Sequence, residues 1–325
     1  MVYTPFPLPA PTGYQPEPGM IDGPSADVLA KPAKDVDELL KLRAWEVTES
    51  PVDLGYHLVE DWPKPLPNGM KFGTTVSTGA SSASADSQGN YYVYQRGPDA
   101  PALLCFDREG YLVRSWGESQ FGRPHSVRCD KDNNIWLVND VAHVCNLFSP
   151  AGQVLRTIGI SGVPGVDSRH FNRCTDIAFG IDGRFYVSDG YVNRRVVYFN
   201  SKLDYLGSWG TLGMGPGQFL LPHGIEIDSN GLVYVADRTS WRVQIFTPEG
   251  DFLQQWTHIG KIWGLIFNQG YFWVHDGLTK RVSKVDSTGK VIGWVEGGGH
   301  GLGMAPNGDI IIARHNAPPQ LFSRD

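Results

Sequence analysis

HGIEIDSNGLVYVADRTSWRVQIFTPEGDFLQQW, from His223 to Trp256, holds a short apolar strand, an Asp/Asn/Gly turn, a second strand, then a third strand and a return strand ending in tryptophan. Short runs of β-branched and aromatic residues punctuated by turn residues mark consecutive antiparallel hairpins. The unit recurs along the chain. Its inner turns stand at DSQGN (Asp86 to Asn90), DKDNN (Asp130 to Asn134), GIDG (Gly180 to Gly183), DSNG (Asp228 to Gly231), NQG (Asn268 to Gly270) and PNG (Pro306 to Gly308). With Gly89, Asn133, Gly183, Gly231, Gly270 and Gly308 taken as equivalent, successive separations run from 38 to 50 residues, the length of one four-stranded propeller blade. The second strands are YYVYQR, IWLVND, FYVSDG, VYVADR, YFWVHD and IIIARH, one per unit. A closed radial array of six such units leaves only short, protected strand edges. The expected fold is therefore all-β, a six-bladed β-propeller.

Composition agrees with many short strands joined by tight turns: 39 glycines, 23 prolines and 12% aromatic residues. With 28 basic against 34 acidic residues and no basic run to track a phosphate backbone, nucleic acid is not an expected partner. No stretch approaches the ~20 apolar residues that span a bilayer, so no membrane is expected either. Residues 1–60 read as a proline-rich extended arm with a short helix near Asp35 to Trp45, and residues 61–325 as the catalytic propeller. Such an arm suits strapping across the body or pairing with a second copy in a homo-oligomer. The opening MVYTPFPLPAPTGYQPEPG has neither the basic start nor the apolar run of a signal peptide. Cys105, Cys129, Cys145 and Cys174 lack metal or dithiol spacing and read as small core fillers, so a reduced, cytoplasmic compartment is expected.

Counting back eight residues from each turn position reaches Ser81, His125, Thr175, His223, Ile262 and His300. Histidine falls on every second blade. Alternate blades of a six-fold ring are about 120° apart, so three side chains at one depth converge on the axis, the donor set of a catalytic zinc or similar divalent ion. His57, His143, His170, His258, His275 and His315 lack that relation and read as packing or surface residues. Counting forward fifteen residues from the same positions passes round the hairpin and back to the same mouth, at Arg96, Asp140, Gly190, Arg238, Gly277 and His315, with Tyr191 one further. Arg96 and Arg238 are placed to clamp a carboxylate or balance an oxyanion, and to favour the phenolate of Tyr191 as a general base.

EDWPKPLP, YVYQRGPDAP, RPHSVRCDKDNNIWLVND, HFNRCTDIAFGIDGRFYVSDGYVNRR, GPGQFLLPHGIEID and VYVADRTSWRVQIF resemble the peptidyl-α-hydroxyglycine α-amidating lyase branch of the NHL-repeat propellers, from about Asp61 to the C-terminus. The resemblance implies a zinc lyase that cleaves the N–C bond of an N-acyl hemiaminal to an amide and glyoxylate. It assigns the zinc ligands to His125, His223 and His300, the catalytic tyrosine to Tyr191 and the active-site arginines to Arg96 and Arg238. It also implies a structural calcium, held by carbonyls matching Ala83 and Val127 and by an aspartate after the third histidine. Gly301 stands at that last position, which leaves calcium open. The disulfide cysteines of secreted members match Asn172, Val192, Tyr234 and Ile245, so neither bridge can form.

The expected function is thus metal-dependent lysis of a small carboxylate-bearing hemiaminal, whether peptidyl, acyl or ureido, with Zn²⁺ or, equally suited to imidazoles, Mn²⁺ or Fe²⁺. Two alternatives remain at this point. One is a metal-dependent lactonase or hydrolase on the same propeller; the other is a non-catalytic NHL interaction scaffold.

Overall fold

The computed structural model describes residues 52–117 and 122–324. The expected helix near Asp35 to Trp45 lies outside the described residues. Six four-stranded antiparallel sheets follow one another as blades, the first running from Ala80 to Trp116, the second from Pro124 to Ile158 and the third from Asp176 to Trp209. The fourth spans Pro222 to Trp256 and the fifth Ile262 to Glu296. The six-bladed propeller read from the turns is borne out. Among the described residues no helix is long and apolar enough to cross a membrane.

The inner turns show why the count succeeded. Gly89, Asn133, Gly183, Gly231, Gly270 and Gly308 all have positive φ, between 61° and 96°, a region open to glycine and tolerated by asparagine. In three blades the aspartate that opens the turn also closes it. The Oδ1 atoms of Asp86, Asp130 and Asp228 each accept two backbone N–H groups of their own turn at 2.9–3.0 Å.

The last blade is composite. Its inner three strands are Gly301–Met304, Ile310–Ala313 and Gln320–Arg324, and the outermost is Tyr56–Leu58, in register Tyr56 to Arg324 and Leu58 to Phe322. The propeller's sheet therefore begins on the arm side of residue 60. Interblade packing repeats a motif in which an outer-strand tryptophan lies on a glycine of the next blade's outer turn. A Cβ on Gly250 would stand 2.5 Å from Trp209, one on Gly289 2.6 Å from Trp256, and one on Gly152 3.4 Å from Trp116. Trp62 completes the series, meeting Gly110 of the first blade at 2.8 Å by the same measure.

Apolar clusters fill much of the space between blades. Between the fourth and fifth blades, Trp256 packs on Tyr234 and Phe272 with ring centroids 5.3 and 5.4 Å away, within an apolar cluster that includes Ile245, Leu265 and Val274. Truncating so large a buried ring leaves a cavity, so Trp256→Ala is expected to cost about 3–5 kcal/mol of stability. Urea titration measures it, and a midpoint equal to wild type would contradict this packing account.

Candidate functional site

The innermost strands line the channel, and their first residues are bent into it. In the second and fourth blades the strand pairing slips between Pro124 and Ser126 and between Pro222 and Gly224. His125 and His223 are the extra residues of these bulges, which re-aim a side chain that a regular strand would direct elsewhere. His300 precedes the inner strand of the last blade and is pinned by its N–H on the Ala313 carbonyl at 2.7 Å. The three rings meet on the axis, with centroid separations of 4.9 Å (His125 to His223), 5.3 Å (His125 to His300) and 5.4 Å (His223 to His300). One nitrogen from each lies within 4.8 Å of the others, and all three residues are buried.

Which nitrogen faces the axis is settled by the intervening blades. Nδ1 of His125 bonds the Thr175 carbonyl at 2.6 Å, that of His223 the Trp263 carbonyl at 2.5 Å and that of His300 the Ser81 carbonyl at 2.7 Å. A carbonyl only accepts, so each Nδ1 carries the proton and each Nε2 keeps its lone pair for the axis. Blades two, four and six supply imidazoles; blades one, three and five supply the carbonyls that orient them. Burial holds all three imidazoles well below their usual pKa. Arg96 and Arg123 reinforce this at His125, Arg238 and His125 at His223, and His315 and His125 at His300. The rings are therefore neutral at physiological pH, the ligating form.

The residues fit a divalent ion. Nε2 of His223 is buried on the axis without a hydrogen-bond partner, leaving its lone pair available to an ion. Three nitrogens with no carboxylate among them suit Zn²⁺, Mn²⁺ or Fe²⁺. A carboxylate beside the third histidine is excluded sterically, because a Cβ on Gly301 would lie 2.5 Å from the Ser81 carbonyl and the Ser82 Cα. The carboxylate that the resemblance gives to structural calcium is therefore missing here.

In the fifth blade the fifteen-residue count lands on Gly277, while the eight-residue count lands on Ile262, one short of the bulge at Trp263. The inner hairpin there is tighter: Asn268 pairs with Tyr271, leaving only Gln269 and Gly270, both at positive φ, in the turn. Trp263, not Ile262, is thus the channel-facing counterpart of the histidines. Its indole packs on His300 at 5.3 Å and sits where a Cβ on Gly277 would come within 2.1 Å.

The second strands return Arg96, Tyr191 and Arg238 to the same mouth. Acids at the ends of these strands tie down the loops that lead into the inner strands, Asp189 accepting the Asn172 N–H at 2.8 Å and Asp237 the Leu221 N–H at 2.8 Å. Tyr191 Oη lies 3.0 Å from His125 Nε2. The Arg238 guanidinium carbon stands 5.7 Å from the Tyr191 ring centre and 5.5 Å from that of Trp263. Arg96 crosses to the second blade, donating from Nε to the Pro124 carbonyl at 2.7 Å and from Nη1 toward His315 Nε2 at 3.4 Å. All six residues singled out from sequence thus converge.

Four others at this mouth, Asp140, Arg123, Arg173 and His315, are not among the expected site residues, His315 being read from sequence as a packing or surface residue. His315 stacks on His300 with centroids 4.3 Å apart, and burial with Arg96, Arg123 and Arg238 lowers its pKa to about 2. Asp140, fully buried, accepts from Arg123 at 2.8 Å and Arg173 at 2.9 Å. The forward count had reached Asp140 and His315, and only their neighbours could have revealed their use.

On the other side of the imidazoles the channel continues as a small space lined by Ser82, Ser126, Asp176, Arg128 and Leu302. Arg128 grips Asp176 at 2.6 and 3.0 Å and reaches Glu226 at 3.5 Å. Burial lifts the Glu226 carboxyl from 4.5 to about 7 against the pull of Arg128. A raised acid holds its proton in the folded state where the unfolded chain has lost it, so this contribution to stability is full below about 4.5 and lost as pH rises to about 7. Glu226→Gln is expected to flatten that decline in denaturation midpoints measured from pH 4.5 to 8; an unchanged slope would refute it.

Residues 219–246 match the NHL repeat family model. Over 244 residues the chain is 30% identical to peptidyl-glycine alpha-amidating monooxygenase A of Xenopus laevis, covering 65% of this chain but 25% of that protein. It is 27% identical over 236 residues to the probable peptidyl-alpha-hydroxyglycine alpha-amidating lyase pgal-1 of Caenorhabditis elegans, covering 65% and 67% of the two. NHL repeat-containing protein 3 of Homo sapiens is 29% identical over 62% of this chain and 60% of its own. Among solved structures, a streptogramin B lyase superposes with a TM-score of 0.59 at 12% identity over 83% of this chain and 98% of that one, a likeness of fold. The resemblance read from the motifs is borne out by these relatives.

Proposed function

We propose, from the chain's likeness to amidating lyases and its NHL repeat, that it is a metal-dependent carbon–nitrogen lyase acting on an N-acyl or ureido α-hydroxyglycine-type hemiaminal. The observation that carries the reading is the Tyr191 hydroxyl set 3.0 Å from a buried ligand-type imidazole whose tautomer leaves Nε2 on the axis. His125, His223 and His300 would hold the ion. Bound there, it supplies Lewis-acid polarisation of the substrate's hydroxyl.

The residues of the chain do the rest. Tyr191 takes the hydroxyl proton as the carbonyl forms, and the C–N bond breaks with its electron pair passing to nitrogen. Nitrogen takes up a proton from a nearby acid or water, so the net change moves the hydroxyl proton to nitrogen and releases an amide and glyoxylate. Arg238 and Arg96 hold the carboxylate and balance the charge that develops. Trp263 and His315 wall the site beside His300, with ring centres 5.3 and 4.3 Å from it.

Purified protein reconstituted with Zn²⁺, Mn²⁺ or Fe²⁺ tests this. Metal content near one per chain and glyoxylate release from α-hydroxyhippurate are expected. A chain that binds metal yet releases no glyoxylate from acyl or ureido substrates would reject the lyase in favour of a hydrolase or a scaffold.

A further inference from the structure

Beside the imidazoles lies a second charged group that the proposed chemistry does not use. Asp140 is fully buried, and its Oδ2 accepts from Arg123 Nη1 at 2.8 Å and from Arg173 Nη2 at 2.9 Å. Burial alone would raise this carboxyl, but the two guanidiniums outweigh it and hold Asp140 ionised. Arg173 is anchored again through its backbone, its N–H donating to His143 Nδ1 at 3.0 Å and its carbonyl accepting the Tyr191 N–H at 3.2 Å. The same residue covers Tyr191 from the side: its guanidinium carbon stands 4.5 Å from the ring centre, nearer than those of Arg238 (5.7 Å) and Arg123 (5.9 Å). The ring also makes T-shaped contacts with His125 at 5.3 Å and His223 at 6.0 Å. Arg173 also adopts φ 63°, a left-handed conformation unusual for a residue with a Cβ, which its several anchors must sustain.

We propose that Arg173, fixed by Asp140, is a positioning residue for Tyr191, its guanidinium roofing the phenol ring so that the hydroxyl stays at the imidazole face of the channel. The proposal rests on the lyase reading for its kinetic consequence and on geometry alone for its structural one. A flat guanidinium matches an aromatic face and can hold a carboxylate at the same time. Lysine can keep the charge over the ring but not both geometries. Glutamine keeps neither.

The test combines kinetics with the ring itself. In protein carrying ¹³C-labelled tyrosine, the Tyr191 ring signal is identified by its loss in Tyr191→Phe. Arg173→Gln is expected to shift and motionally average that signal and to lower kcat by about 10²-fold, the cost of a misplacement on the order of 1 Å, with KM and metal content near wild type. Arg173→Lys is expected to restore part of both, and Asp140→Asn to follow Arg173→Gln. A folded Arg173→Gln with an unmoved Tyr191 signal, or with raised KM and intact kcat, overturns the proposal; the second result would make Arg173 a substrate-binding residue. A moved signal in a protein whose wild type releases no glyoxylate keeps the brace and rejects the lyase reading instead.

Discussion

His223→Ala is expected to empty the channel of its divalent ion and to lower glyoxylate release by at least about 10³-fold, while the propeller stays folded. The ligand set has no spare member, since the grouped nitrogens come from His125, His223 and His300 alone among the described residues. Lewis-acid polarisation contributes several kcal/mol to such reactions, and about 4 kcal/mol corresponds to about 10³-fold in rate. His223 is the most telling of the three because its Nε2 has no hydrogen-bond partner, whereas that of His125 meets Tyr191. Its removal also frees the Trp263 carbonyl, a loss that bears on local order rather than on the blade's core. Metal analysis after reconstitution, with circular dichroism as the control for folding, decides the matter. Full metal content in the variant would remove the axis site from the protein's chemistry.

Tyr191→Phe is expected to lower kcat by about 10²- to 10⁴-fold, the range that a positioned general base contributes, and to leave metal content and KM close to wild type. The substitution is a clean one here. Phenylalanine keeps the ring under Arg173 and against His223, so only the hydroxyl 3.0 Å from His125 Nε2 is lost. Glyoxylate release under saturating substrate measures it. A variant as fast as wild type would take Tyr191 out of the proton transfer and leave metal-assisted attack by water as the better account.

The alternation of histidines was legible because it rides on a periodic feature. Each inner turn needs a residue at positive φ, glycine and asparagine advertise it, and counting from that residue lands at the same height in every blade but the fifth. The count failed by one in the fifth blade, where the two-residue turn at Gln269 and Gly270 shortens the hairpin and moves the channel position from Ile262 to Trp263. Arg173 was illegible for a different reason. It stands in the loop before the third blade's inner strand, where lengths vary and no turn supplies a reference, and its use depends on Asp140 and His143 from the neighbouring blade. Tyr56–Leu58 escaped notice as a strand because three residues without alternation carry no period, and its partner Gln320–Arg324 lies at the far end of the described chain.

That stitch between distant segments sets an order of events for the living protein. Translation delivers the first blade's neighbour early and withholds its partner strand until Gln320 to Arg324 have left the ribosome, so an emerging chain holds an open crescent whose last seam cannot be sewn. His300 also arrives late, and its imidazole is oriented only when Ser81 of the first blade comes round to meet it. Under the proposed metal reading, ion capture would wait for that closure, since a chain that stops short of His300 presents two imidazoles where the grouped site has three.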